Sequence, residues 1–200
     1  MTFQRKLLPL IFFLSTIFLG AQTVGNISVA ANSNNHTTEV CPGETLGTLT
    51  AGAISGFSGA VTYTWSVSTD GGQNYATPFS GPNSSASATY TSSIPSGGVL
   101  IKVSVSDGTN TAESTPLNIS TFTLSTVSVQ SNLPLPSAQG ASHSLTVTGI
   151  VSNFSWQDAL TNTDNPRIVT PGLTTSYTAQ GLDANSCGVS GSLSVTVQEL

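Results

Sequence analysis

Twice in this chain an aromatic residue and a tryptophan stand two positions apart. One pair is Tyr63 and Trp65 within VTYTWSV (61–67), and the other is Phe154 and Trp156 within SNFSWQ (152–157). In an extended strand residues i and i+2 share a face, so each pair places two large apolar rings on one side while Thr64 or Ser155 faces the other way. Each pair therefore predicts the nucleus of a hydrophobic core. Two nuclei, each followed by its own set of alternating segments, predict two small β-domains in tandem.

The segments between them alternate in the same manner. Val24 to Ala30 predicts a first strand with Ile27 and Val29 on one face, and Thr45 to Ala51 predicts a second. The polar run Asn32 to Thr38 reads as a loop, Cys41-Pro42-Gly43 as a turn, and Gly52 to Gly59 as a turn-rich lead into the Trp65 strand. Asp70-Gly71-Gly72 is a hairpin signal, because glycine tolerates the positive φ that tight turns demand. Ala76 to Ser85, with Pro78 and Pro82, reads as a polar loop, and Ala86 to Thr91 as a strand around Tyr90. Val99 to Val105 is the clearest strand, with Val99, Ile101, Val103 and Val105 on one face. After the Asp107-Gly108 turn, Thr111 to Ile119 returns as a last strand that Pro116 demotes to an edge.

No Gly or Pro interrupts Ser120 to Leu124, and alternation resumes at Leu124 to Val129, so the two halves are expected to be held in a near-fixed relation. The second half is a shorter copy. It predicts a turn at Ser137 to Gly140, strands at Ser144 to Thr148, Ser152 to Gln157, Arg167 to Thr170 and Ser176 to Leu182, a turn at Asp183 to Ser186, and a last strand at Val189 to Gln198. Ile101, Val103 and Val105 before Asp107 are matched by Tyr177, Ala179 and Gly181 before Asp183, which puts Tyr177 in the second core. The expected core residues are thus Tyr63, Trp65, Phe154, Trp156 and Tyr177, in domains spanning 22–121 and 122–200.

Residues 1–21 predict an address rather than structure. Arg5 and Lys6 precede the apolar run Leu7 to Leu19, with Gly20 and Ala21 supplying a cleavage site, the pattern of a secretory signal peptide. The apolar run is short of the roughly 20 residues a spanning helix needs. Beyond it the only basic residues are Lys102 and Arg167, against nine acids, which argues against nucleic acid and against anionic lipid as partners. No membrane insertion is expected once the leader is removed. Low charge and abundant Ser and Thr would also suit disorder, but disordered chains lack the patterned apolar residues found here.

Short alternating strands, frequent turn signals and a tryptophan on the third strand are marks of an immunoglobulin-like sandwich. The phrase VTPGLTTSYTAQGLDAN (169–185), continued through Cys187 to Val197, resembles the final strands of Ig-like, PKD-related repeats in secreted surface proteins and adhesins of gliding bacteria. Those repeats open with Cys-x-Gly, matched by Cys41-Pro42-Gly43, and close with Asp-Ala-Asn-Gly-Cys, matched by Asp183, Ala184, Asn185 and Cys187 with Ser186 in place of Gly. The likeness implies a fold and a secretion habit, not a ligand. A smaller likeness lies in Ser68, Asp70 and Gly72, which match the Asp-box turn, with Asn74 and Tyr75 in place of its Thr and Trp. It implies a turn tied to its own backbone and no catalysis. One local carboxylate also argues against a calcium site at Asp70, since calcium takes six to eight oxygens.

No catalytic constellation is legible. His36 in a polar loop and His143 beside a strand read as ordinary exposed histidines, the carboxylates are scattered, and the two Cys and two His show no zinc spacing. No cofactor is expected. The functional expectation is a non-enzymatic extracellular adhesion or spacer module, with an unknown cell-surface or glycan ligand. The alternative is an ancillary carbohydrate-binding region of a secreted polysaccharide-degrading enzyme, for which Tyr75 and Phe79 are the aromatics left over, either as an exposed platform or as residues of the core's rim.

The resemblance carries one more implication. In the repeat family the opening and closing cysteines pair within one domain, but here Thr111 and Ala138 stand at the two complementary positions, so each domain keeps one half. In an Ig-like sandwich the first inter-strand loop lies at the exit pole and the last hairpin at the entry pole, which implies that Cys41 and Cys187 meet at the junction as a disulfide. Two unpaired cysteines left from lost bridges are the other reading.

Overall fold

Apolar alternation sets the longest strand of the first half, Val99–Ser106, whose Val99, Ile101, Val103 and Val105 are all buried while the residues between them are half-exposed. The structure, a computed structural model, describes residues 20–76, 78–159 and 162–198, and the expected signal-peptide run 1–19 lies outside them. Among the described residues every regular element is a strand. The first half contains β1 (Thr23–Val24), β2 (Ser28–Val29), β3 (Glu39–Val40), β4 (Thr48–Thr50), β5 (Ile54–Ser55) and β6 (Thr62–Ser68). It continues with β7 (Ser80–Asn83), β8 (Ser87–Thr89), β9 (Val99–Ser106), β10 (Thr111–Glu113) and β11 (Leu117–Thr121). The second half contains β12 (Ser128–Ser131), β13 (Ser137–Ala138), β14 (His143–Thr148), β15 (Ser152–Trp156), β16 (Arg167–Val169), β17 (Thr175–Leu182), β18 (Gly188–Val195) and β19 (Val197–Gln198).

These strands form two immunoglobulin-like sandwiches with one topology. In the first, the sheet β2-β4-β8 faces the sheet β3-β11-β9-β6-β7. In the second, β12-β14-β16 faces β15-β17-β18, with β13 and β19 paired alongside. A two-residue strand runs parallel to the chain's returning strand in each case, β3 on β11 and β13 on β19, whereas the other pairings are antiparallel. One core gathers Ile27 through Ile119 and the other Val129 through Val195. Trp65 and Trp156 are fully buried at their centres, and Tyr63 and Tyr177 are buried beside them. Phe154 is only half-buried, edge-on to Trp156 at 5.8 Å, because a bulge between Ser152 and Ser155 turns β15 away from its partner there.

Several strands divide more finely than alternation predicts. The expected strand 24–30 splits at Gly25: β1 pairs with β5, inside the stretch read as turns, and β2 pairs with β4. The run 80–83, expected as loop, is an edge strand on β6. Gly81 explains how it docks, since its φ is +93° and a Cβ there would stand 2.0 Å from the Tyr63 carbonyl oxygen. Pro82 fits because β7 has β6 as its single partner in the sheet.

Pro116 lies on an edge, as expected, and also interrupts it. Both flanking pieces, β10 and β11, pair with β9, which is their single partner over Thr111 to Ile119, and β3 covers β11 only at Ser120 and Thr121. Across the gap the Val103 N–H donates to the buried Ser114 hydroxyl at 3.1 Å, and Ser114 N–H returns a bond to the Val103 carbonyl at 2.9 Å. The expected last strand 189–198 likewise breaks at Thr196 into β18 and β19, the second of which changes partner to β13.

Candidate functional site

The two sandwiches meet around residues 32–44 of the first and 183–188 of the second. Asn32 organises the first loop: its Oδ1 accepts the N–H groups of Asn34 at 3.0 Å and His36 at 2.9 Å, and its backbone N–H donates to the His36 carbonyl at 2.8 Å. This closed turn aims the His36 ring back across the loop. The Cys41-Pro42-Gly43 turn, closed by Glu44 N–H on the Cys41 carbonyl at 3.1 Å, swings Glu44 beneath that ring. Glu44 Oε2 accepts His36 Nδ1 at 2.8 Å, the Cys41 N–H at 2.9 Å and Asn32 Nδ2 at 3.2 Å, while Oε1 accepts Asn34 Nδ2. Burial raises the Glu44 pKa, but the bonds from Asn34, His36, Cys41 N–H and Asn32 outweigh it and hold the carboxyl down at about 2.

On the opposing side Asp183, at the end of β17, fixes the hairpin. Its Oδ1 accepts the N–H groups of Asn185 at 2.9 Å and Cys187 at 3.0 Å, and its Oδ2 accepts Ser125 N–H from the connection between the sandwiches at 3.1 Å. Burial pushes this carboxyl up, yet the donors from Ser125, Cys187 and Asn185 keep it below the usual aspartate range. The hairpin so held presents the Cys187 sulfur and the Asn185 carbonyl to the first sandwich.

Two bonds cross the junction there. Cys41 and Cys187 form a disulfide, with sulfurs 2.05 Å and Cα atoms 5.5 Å apart, in the pairing that the resemblance implies. His36 Nε2 donates to the Asn185 carbonyl at 2.9 Å. His36 thus bridges the two sandwiches, with Nδ1 2.8 Å from the Glu44 carboxylate on one side and Nε2 on the Asn185 carbonyl on the other. Phe122, in the connecting segment, packs edge-on against the same ring at 5.1 Å. Beside the disulfide lies a cleft of about 700 Å³, lined on one side by Asn34, Asn35 and Gly43 and on the other by Leu182, Ser186 and Gly188.

Neither histidine is the exposed residue that the sequence predicts. His36 is sandwiched as described, its side chain 11 % exposed. His143 is fully buried, with Nδ1 2.8 Å from the Ser131 hydroxyl and Nε2 2.8 Å from the Ser137 hydroxyl. A hydroxyl next to an imidazole resembles half of a nucleophilic triad, but here the third group is another hydroxyl and the imidazole is sealed from solvent. The trio is a satisfied polar knot tying β12, β13 and β14.

Tyr75 and Phe79 do not share a platform. Phe79 turns inward, 6.4 Å from Trp65 and edge-on to Tyr90 at 5.1 Å, as part of the first core. Tyr75 lies beneath the Lys102 ammonium at 4.3 Å, on the opposite face of the sheet, since Lys102 alternates with the buried Ile101 and Val103. The Asp70 turn is self-contained: Ser68 Oγ donates to Asp70 Oδ1 at 2.7 Å, and Asn74 reaches both oxygens, from its N–H at 3.0 Å and its Nδ2 at 2.8 Å. Those bonds, led by the Asn74 N–H, lower its pKa to about 2. Lys102 is paired with Glu113 at 2.9 Å, and Arg167 reaches both Asp158 oxygens at 2.7 and 2.8 Å.

Sequence reasoning did not single out Glu44, Asn32 or the Asn185 carbonyl. The position of Glu44 three residues after Cys41 was a usable signal for a turn-capping carboxylate; nothing local pointed to Asn185. Compared with known proteins, the chain matches no family model, and no curated protein is significantly similar to it.

Proposed function

We propose that this chain is a non-enzymatic extracellular module of a bacterial surface or secreted protein, in which two Ig-like sandwiches act as a stiff adhesion or spacer unit. The observation that carries the reading is the junction. A disulfide and the hydrogen bond from His36 to the Asn185 carbonyl cross from one sandwich to the other within a few ångströms, so the pair behaves as one lever rather than two linked beads. A disulfide also suits an oxidising compartment, as does the predicted leader. The likeness to repeats of secreted surface proteins of gliding bacteria points the same way. The carbohydrate-binding alternative loses its two leftover aromatics to the core and to a cation–π contact.

The test has two arms. Small-angle scattering of the purified chain should give one narrow, elongated distance distribution that broadens when the disulfide is reduced. Hydrolysis of a glycan by the same preparation would overturn the reading, and tight glycan binding without hydrolysis would favour the carbohydrate-binding alternative.

A further inference from the structure

The disulfide occupies the centre of a larger set of donor atoms. His36 Nδ1, Cys41 Sγ and a Glu44 carboxylate oxygen all lie within 4.8 Å of one another, and Cys187 Sγ is bonded to Cys41 Sγ. In the oxidised chain these atoms are committed to each other: the sulfurs form the bond, and His36 Nδ1 is hydrogen-bonded to the Glu44 carboxylate at 2.8 Å. We propose that reduction of Cys41–Cys187 converts the junction into a four-coordinate zinc site, with Cys41, Cys187, His36 Nδ1 and Glu44 as ligands.

The donor types are those zinc selects, two thiolates, an imidazole and a carboxylate, a borderline-soft set that calcium and magnesium would refuse. Zn–S bonds of about 2.3 Å at tetrahedral angles need sulfurs about 3.8 Å apart. From a Cα separation of 5.5 Å that spacing is reached by side-chain rotation alone. The surrounding shell is already built. The Nε2–H of His36 donates to the Asn185 carbonyl, the outer contact that fixes the tautomer of a metal-bound imidazole and leaves Nδ1 to the metal. Asn34 and Asn32 hold the Glu44 carboxylate.

The chemistry balances with a phosphine as reductant. Phosphine, cystine and water give phosphine oxide and two thiols; zinc then displaces both thiol protons, with any proton held between Nδ1 and the carboxylate, to buffer. Metal and disulfide become alternative staples across one junction, with three ligands from the first sandwich and one from the second. This inference does not depend on the adhesion or spacer reading, since the site would form whatever the module does.

The experiment uses the full chain reduced with a phosphine and titrated with Co²⁺ as the spectroscopic probe, followed by Zn²⁺. One Co²⁺ per chain should produce a thiolate charge-transfer band and intense tetrahedral d–d bands, both abolished by one equivalent of Zn²⁺. The oxidised chain should produce neither. His36→Ala and Glu44→Gln should each weaken Zn²⁺ binding by more than the roughly 10- to 100-fold that loss of an outer contact costs, while leaving the thiolate band. A folded, reduced chain with no tetrahedral spectrum overturns the proposal, as does a spectrum and affinity that neither variant changes, which would mean that thiols alone bind. Near-ultraviolet circular dichroism of Trp65 and Trp156 reports folding. If reduction abolishes that signal and Zn²⁺ does not restore it, the site does not exist.

Discussion

Trp65 and Trp156 hold matching positions in the two sandwiches, each fully buried and each opposite the long neighbouring strand, at Val103 and Ala179, yet only one indole is satisfied. Trp156 Nε1 donates to the Asp164 carbonyl at 3.0 Å, whereas the buried Trp65 Nε1 has no partner among the described residues. Replacing either by Ala should cost about 3 to 5 kcal/mol through the cavity left behind. Replacement by Phe should separate them. At Trp65 it removes an orphaned donor, but at Trp156 it strips the Asp164 carbonyl of its partner, so Trp156→Phe should cost about 1 kcal/mol more. Urea denaturation followed by far-ultraviolet circular dichroism, which reports both sandwiches, measures both, and the reverse order would show that ring volume alone decides.

The crosslink spans a sequence separation of 146 residues, which in the chain-entropy argument is worth up to about 5 kcal/mol. Its effect should fall mainly on the junction, because each core is closed by its own strands. Cys41→Ser should therefore leave two near-native unfolding transitions while coupling between them weakens. Thiol titration of unreduced, denatured protein should find none, and two after reduction; free thiols in the unreduced material would contradict the bond.

Glu44 has a defined acid signature. Its carboxyl is held at about 2 in the folded chain, below the roughly 4.3 of a free glutamate, so the stability it contributes is present above the unfolded value and is lost as pH falls through the folded one. Between about pH 4.5 and pH 2 the wild type should lose stability that Glu44→Gln, uncharged throughout, does not. Parallel acid titration curves for the two proteins would refute this.

Phe79 and Tyr75, a pair by sequence position, should behave as unrelated residues. Phe79→Ala should destabilise the first sandwich by about 2 kcal/mol or more, since it removes a ring packed between Trp65 and Tyr90. Tyr75→Ala removes a half-buried ring outside the core together with its cation–π contact to Lys102, the contact being worth about 0.5 to 1 kcal/mol. Thermal melts of the two variants distinguish them directly; equal and negligible shifts would return Phe79 to the surface.

The long strands and their buried faces were readable without coordinates. Whether Val99, Ile101, Val103 and Val105 lie on one side, or Trp65 shares a face with Tyr63, is decided by the two-residue period of extended backbone, which is local stereochemistry. The short strands were not readable for the converse reason. Glu39–Val40, Ser80–Asn83 and Ser137–Ala138 have too few residues to show a period, and they are strands only because β11, β6 and β19 offer them unpaired backbone groups. Phe79 and Tyr75 parted because which face a loop aromatic covers depends on where β7 docks. The junction lies furthest from local reach: the family pattern could suggest that Cys41 meets Cys187, but the meeting of His36, Glu44 and the Asn185 carbonyl depends on two turns, 149 residues apart at His36 and Asn185, being brought face to face. Periodicity is written along the chain, while a site made of one side chain from a loop and one backbone oxygen from a distant hairpin exists only once the packing of both sandwiches has set the distance between them.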